Sequence, residues 1–429
     1  MNTNEESKRS GLSRREALKI LASATGAVTL SNLPFKWRKP SIEVGVLPAH
    51  AQASGPSPTP TPISGQPPLG NEFAVMGTAS DGNLILVFPK ANTDLPNPTQ
   101  NIVPGLPTNA LPHGVAYFGN TGGLVADGGK SRIFVVDLAT STLIDTLSTS
   151  DYNGFGTIAV APGSGFALAC GSNTVNVIQA PFNSSSNITT ITLPGGIRSW
   201  ETQAIVFNAV GRAFVYHTQG ISVLDPPYDA ITFTISVSYD NNGGGAIAIS
   251  PNGNTLLTTD WLTSNIYIFK VPFNSSSTPE TLTITTGLAK LNILDTESIT
   301  PAGAKDTSDK QFQAVGFAGI NITADGTKAL VCSNSGSTPK VYAISAPFSS
   351  SSAVEEMPLP SSLTFGPGFE DIGLSPDGKL AIVTGGSGAG APAAFIQAPF
   401  TAAEAQVFAV DIMGGGRGAG AVRFQPANT

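Results

Sequence analysis

The sequence predicts an all-β chain: a seven-bladed β-propeller of four-stranded antiparallel blades, closed by N- and C-terminal strands in one shared blade. Three observations carry this. A Gly-bearing hairpin pattern recurs about every 45 residues, the spacing of a propeller blade. The phrase "apolar strand, Pro-Phe, small polar run" is written four times, as "NVIQAPFNSSSN", "IFKVPFNSSST", "AISAPFSSSSA" and "FIQAPFTAAEA". The C-terminus repeats the first strand of a blade whose later strands stand near residue 72. Composition agrees: 429 residues with 47 Gly, 33 Pro and 12% charged residues.

The first residues read as an address. "SRREALKIL" sets Arg14-Arg15 before a weakly apolar stretch, Ile20 to Leu30. It resembles the twin-arginine export signal of bacteria. Ser13, Arg14, Arg15, Leu18 and Lys19 match that pattern, and Ala17 stands where Phe is usual. The resemblance implies export in a folded state, to the periplasm or outside the cell. The apolar stretch is too short to span a bilayer. "LPAHAQAS" offers an Ala49-x-Ala51 cleavage site before Gln52. Residues 1–51 are therefore assigned to a signal peptide. Residues 52–70 form a linker whose Pro density forbids a packed core. Residues 71–429 form the propeller.

Each blade opens with a hairpin. "IAISPNGNTLLTT" (247–259), "INITADGTKALVC" (320–332) and "IGLSPDGKLAIVT" (372–384) are the clearest copies. Weaker ones are "IAVAPGSGFALAC" (158–170), "IVFNAVGRAFVYH" (205–217) and "VAYFGNTGGLVAD" (115–127). Two alternating runs flank a turn in which Gly takes a positive φ. Third runs follow, such as "RIFVVDL", "NIYIFKV" and "KVYAISA"; fourth runs include "ITTITL" and "ETLTITT". The repeated phrase falls between the third and fourth. Pro ends the third strand because it donates nothing to the ladder. Phe is expected between neighbouring blades, with the Ser run as an exposed turn. Repeat starts at Val115, Ile158, Ile205, Ile247, Ile320 and Ile372 give six blades. "AVRFQPANT" starts a seventh, and "EFAVMGTASDGNLILVF" (72–88) supplies its second and third strands. Such closure removes an open edge.

"SPDGK", "SPNGN" and "RIFVVDLATSTLIDTL" resemble the YVTN family of propeller repeats over nearly all of 72–429. More distantly the pattern is similar to the seven-bladed lactonase propellers. These motifs specify fold and not activity. One blade step, Ile247 to Ile320, is longer than the rest, with the excess in 287–319. Long insertions in a regular repeat usually fall on a functional face; the alternative is a floppy insertion with no role.

The first strand of each blade lines the central channel, so the register predicts what the channel mouth presents. Two residues before each start stand His113, Gly156, Gln203, Gly245, Ala318, Glu370 and Gly420. Twelve after stand Asp127, Cys170, His217, Thr259, Cys332 and Thr384, with Gly77 from the shared blade. Nearby loops add Arg198, Trp200, Glu201, Asp371 and Arg417. The candidate ligand site is thus His113, Asp127, Arg198, Trp200, Glu201, His217, Glu370, Asp371 and Arg417. Glu201, Glu370, Asp371 and His113 have the donor types for a divalent cation. The plainer reading has them solvated, or paired with Arg198 and Arg417.

The two cysteines fall in blades three apart, beyond disulfide reach, and are expected to be buried and structural. There is no CxxC, CxxCH, HExxH or GxSxG. A net charge of −7 argues against nucleic acid as a partner, since that needs a basic footprint. The expectation is an exported binding or scaffold module whose partner is an extracytoplasmic protein, a wall polymer or a small ligand. The alternative is a lactonase-like hydrolase using the same His, Glu and Arg groups. A cofactor-bearing redox propeller is a third reading, which the missing ligand spacings weigh against.

Overall fold

The computed structural model describes residues 74–78, 83–88, 95, 97–119, 121–128, 130–149, 157–197, 203–239, 245–260, 263–284, 316–333, 340–360, 363, 369–385, 393–412 and 419–424. The leader, the linker and most of the 287–319 excursion lie outside them. The last residues of that excursion already belong to a strand, which begins at Phe317.

The described residues form seven four-stranded antiparallel sheets and no helix. Blade 1 is β1 (Ala74–Thr78), β2 (Asn83–Phe88) and β3 (Thr99–Ile102), with β28 (Ala419–Phe424) as its innermost strand. Blade 2 is β4 (Pro112–Phe118), β5 (Gly122–Asp127), β6 (Arg132–Asp137) and β7 (Thr142–Ser148). Blade 3 is β8 (Ile158–Val160), β9 (Phe166–Cys170), β10 (Thr174–Gln179) and β11 (Ile188–Thr192). Blade 4 is β12 (Ile205–Phe207), β13 (Ala213–His217), β14 (Gly220–Leu224) and β15 (Phe233–Ser236). Blade 5 is β16 (Ile247–Ile249), β17 (Thr255–Thr259), β18 (Asn265–Lys270) and β19 (Glu280–Thr283). Blade 6 is β20 (Phe317–Ile322), β21 (Lys328–Ser333), β22 (Val341–Ser345) and β23 (Val354–Glu356). Blade 7 is β24 (Phe369–Leu374), β25 (Leu380–Gly385), β26 (Ala393–Gln397) and β27 (Gln406–Val410). The innermost strands neighbour one another in blade order, and β24 meets β28 to close the ring. The predicted shared blade is present.

Burial explains the sequence texture. β5 and β13 are buried along their whole length, because the inner strands are covered by a blade on each side. The outer β7 alternates. The hairpin turns follow the turn chemistry: Gly253, Gly326 and Gly378 all sit at φ +70°. In each, a Ser or Thr hydroxyl (Ser250, Thr323, Ser375) bonds the Asn or Asp two residues on, at 2.6–2.7 Å.

The repeated phrase is a seam device. The bonds preceding Pro181, Pro272, Pro347 and Pro399 are cis, as is Pro226-Pro227 where Tyr228 replaces the Phe. The following ring packs edge-on against the preceding blade. Phe182 meets Phe118 at 5.0 Å, Tyr228 meets Phe166 at 5.3 Å, and Phe273 meets Phe214 at 5.2 Å. The Ser run closes on itself: Ser186 Oγ donates to the Pro181 carbonyl and accepts from Asn183 N. Ser277 and Ser352 do the same in their blades. The next backbone N–H reaches across the seam to a carboxylate on the preceding blade's outer strand. Ser184 N donates to Asp145, Ser350 N to Glu280 and Ala402 N to Glu355, at 2.6, 3.2 and 2.9 Å. These three acids occupy equivalent register positions, opposite Val135, Ile268 and Ala343.

Candidate functional site

Call the upper face the end at which each innermost strand begins. There the position two before the repeat start has a distinct geometry. His113, Ala318 and Glu370 are each the extra residue of a β-bulge: Pro112 pairs Asp127 while Gly114 pairs Ala126, and blades 6 and 7 repeat the slip. The β1–β28 ladder slips at the same level. A bulge re-aims a side chain and bends the strand away from its neighbour. At His113 this brings the backbone against blade 1, where a Cβ on Gly77 would strike the Pro112 carbonyl. His113 is buried, and burial lowers its pKa to about 4, so the ring is neutral at pH 7.

The position twelve after the start is not one structural position. Val115 pairs Val125 and Ile205 pairs Val215, ten residues on, whereas Ile247 pairs Thr258 and Ile372 pairs Val383, eleven on. The hairpins of blades 2 and 4 are one residue shorter. Asp127 and His217 are therefore equivalent to Asp260, not to Thr259 or Cys332. A one-residue slip turns a side chain to the opposite face. Thr259 stands opposite Ile266, in the core shared with blade 6, while His217 lies against Gly195 of blade 3. Asp260 is the residue that register counting missed; allowing for the absent Pro-x-Gly turn in those two hairpins would have found it.

All three groups are buried and engaged. Asp127 accepts from Leu111 N at 2.7 Å and pairs with Arg132 Nε. Arg132 also reaches Asn109 and lies over the Phe134 ring. Asp260 lies 3.5 Å from the Tyr267 hydroxyl, and its backbone carbonyl takes Phe317 N from blade 6. His217 has burial lowering its pKa to about 4. Gln219 N donates to its Nδ1 at 3.3 Å, so the neutral ring carries its proton on Nε2. That proton points to Ser222 Oγ at 3.0 Å, and Ser222 continues to Thr234 at 3.4 Å. The chain runs the wrong way for a base activating a serine, which would need a free lone pair facing the hydroxyl.

Asp371 closes the ring. It accepts from Val422 N at 2.9 Å and pairs with Arg423, both on β28. Other innermost strands are tied in a similar way across their seams. Thr157 Oγ1 accepts from Ala204 N, Asn321 Nδ2 donates to the Ile372 carbonyl, and the Tyr117 hydroxyl donates to the Arg423 carbonyl. The inner edge of a blade has backbone groups without a strand partner, and these side chains satisfy some of them.

The structure thus sets His113 beside Asp127 in blade 2, His217 in blade 4 and Asp371 in blade 7. Arg198, Trp200, Glu201, Arg417 and the side chain of Glu370 lie outside the described residues. Among the described residues no group of three His, Cys, Asp or Glu is placed to hold a metal, and no helix is long and apolar enough to cross a membrane. Cys170 and Cys332 are buried and not disulfide-bonded. A shallow cavity of about 370 Å³ opens on the lower face, between the hairpin turns of blades 3 and 4, beside Phe166, Val210 and Tyr228.

No protein-family model matches the chain, and no curated protein matches it by sequence. Solved structures do. A protein from Lactobacillus plantarum superposes with TM-score 0.58 at 15% identity, over 82% of this chain and 99% of that one. The periplasmic gluconolactonase of Pseudomonas aeruginosa superposes with TM-score 0.56 at 12% identity, over 83% and 99%. The Cps50 (Swd1) β-propeller domain of Myceliophthora thermophila does so with TM-score 0.52 at 12% identity, over 73% and 90%. At these identities the likeness is one of fold.

Proposed function

We propose that the protein is a binding or scaffold module, exported by the twin-arginine route, that takes its partner at the upper face of the propeller. The observation that carries this reading is the state of the ionisable groups described there. Asp127 and Asp371 are committed to arginines within the walls, and His217 donates to Ser222 instead of drawing a proton from it. Groups so engaged shape a rigid rim and leave the varied upper loops to do the recognising. The loop candidates Arg198, Trp200, Glu201, Glu370 and Arg417 belong to the same proposed site, and a divalent cation is one of the ligands it would take. The partner is an extracytoplasmic protein, a wall polymer or a small ligand.

The rival reading is a lactonase-like hydrolase, which the fold likeness to the periplasmic gluconolactonase favours. Against it, a histidine held at a pKa of about 4 is a weak base at neutral pH. A thermal-shift scan of the protein against divalent metals, lactones, sugars and wall fragments, with lactone turnover in parallel, separates the two. A ligand at 100 times its Kd stabilises by about 2.7 kcal/mol. Binding without turnover, lost in His113→Ala/Glu370→Ala, is the expected result; lactone hydrolysis lost in the same variant would replace the proposal with the rival. For export, Arg14→Lys/Arg15→Lys should hold the chain in the cytoplasm on cell fractionation. Unchanged export would remove the twin-arginine assignment.

A further inference from the structure

Superposing the seams by register exposes one that differs. In each third strand, one residue pairs with the second-strand residue that itself pairs with the repeat start, and it faces the preceding blade. This column holds Ile85, Phe134, Tyr267, Tyr342 and Ala394, all buried and apolar or aromatic. Blade 4 has Ser222, whose hydroxyl is met by His217 and Thr234. Blade 3 has Asn176, fully buried.

The partner column lies on the fourth strand of the preceding blade, three residues beyond its pairing residue. It holds Gly105, Leu193, Val237, Ile284, Leu359 and Ile412, one glycine and five aliphatic residues. At the seam facing Asn176 it holds Thr149, three beyond the Thr146 that pairs Phe134. The two columns meet elsewhere in one core: Val237 with Tyr267, Ile284 with Tyr342, Ile412 with Ile85. The seam between blades 2 and 3 alone is polar on both sides.

Three of its buried polar atoms are not satisfied by the described residues. Asn176 Oδ1 accepts from Thr190, but Asn176 Nδ2, Thr149 Oγ1 and Thr174 Oγ1 have no hydrogen-bond partner among the described residues. Thr174 is two residues from Asn176 on the same face of β10, and both threonines are over nine-tenths buried. Buried polar groups in a folded protein have partners, and ordered water is the usual one where protein supplies none.

We propose that the upper part of the blade 2–blade 3 seam is a closed hydration site, in which ordered water bridges Asn176 Nδ2 to the hydroxyls of Thr149 and Thr174. The lining is uncharged and offers two amide protons and two hydroxyls, a donor and acceptor mix suited to water and not to an ion.

Two measurements test it. A high-resolution crystal structure of the protein should show water within hydrogen-bond distance of Asn176 Nδ2 and of one of the two threonine hydroxyls. Direct pairing of those side chains, or a dry gap, overturns the proposal. A double-mutant cycle with Thr149→Leu and Asn176→Phe converts the seam to the chemistry of the others. Each single change strands its polar neighbour, whereas the double change displaces the water. The expected coupling is about tenfold in the unfolding constant, favouring the double variant. Additive effects overturn the proposal, and if a single variant does not fold the crystallographic result decides alone.

Discussion

Gly77 passes so close to the backbone ahead of His113 that a methyl group there would meet the Pro112 carbonyl. Gly77→Ala should destabilise by about 1–3 kcal/mol, read from chemical denaturation, because backbone cannot move aside as a side chain can. The two described histidines set a pH window at the same scale. Their folded pKa of about 4 lies below the unfolded value of 6.5. Between these values the unfolded chain binds more protons, so stability is constant above pH 6.5, falls as pH drops towards 4, and levels off below. The bound for each ring is about 3 kcal/mol. Denaturation midpoints from pH 7 to 4.5 should fall less steeply in His217→Asn than in the native protein; an identical slope would show that His217 is not held neutral. That these histidines are buried is invisible in composition. Their type and spacing suggested a site, but exposure depends on which face a strand turns, which single residues do not encode.

At the scale of elements, turn chemistry was the most readable layer. "SPNG", "TADG" and "SPDG" each force one Gly into a positive φ and so fix a hairpin, and Pro-Phe marks a seam. What could not be read was the ladder offset. The turns in "VAYFGNTGGLVAD" and "IVFNAVGRAFVYH" lack the Pro-x-Gly set, and one residue fewer in the hairpin shifted Asp127 and His217 onto the column of Asp260. The bulge at His113 was hidden for the same reason, since a ladder slip depends on both strands. The carboxylate contacts across the seams were also unread, because Asp145, Glu280 and Glu355 lie in weakly patterned outer strands. The Ser184 N–H lowers the pKa of Asp145; Lys270 first, then the Ser350 N–H, lowers that of Glu280. A depressed carboxylate pKa adds stability above the unfolded value that is lost as pH falls through the folded one. Asp145→Asn/Glu280→Gln should therefore lower Tm at pH 7 and flatten its fall below pH 4, a window distinct from that of the histidines.

Across the whole molecule, closure depends on β28. Removing residues 419–424 would expose the inner edge of β1 and take away the partners of Asp371. The truncated chain is expected to self-associate on size-exclusion chromatography; a monomer with native Tm would show that the shared blade is dispensable. The same feature has a consequence in time. β1 leaves the ribosome roughly 340 residues before β28, from Thr78 to Ala419. At about 5–20 residues per second this is a wait of about 20–70 s. Throughout it β1 lacks its inner partner strand and has a bare edge of the kind that recruits other chains. A chain released before Ala419 would keep that edge open, because the strand that covers it is the last one made among the described residues.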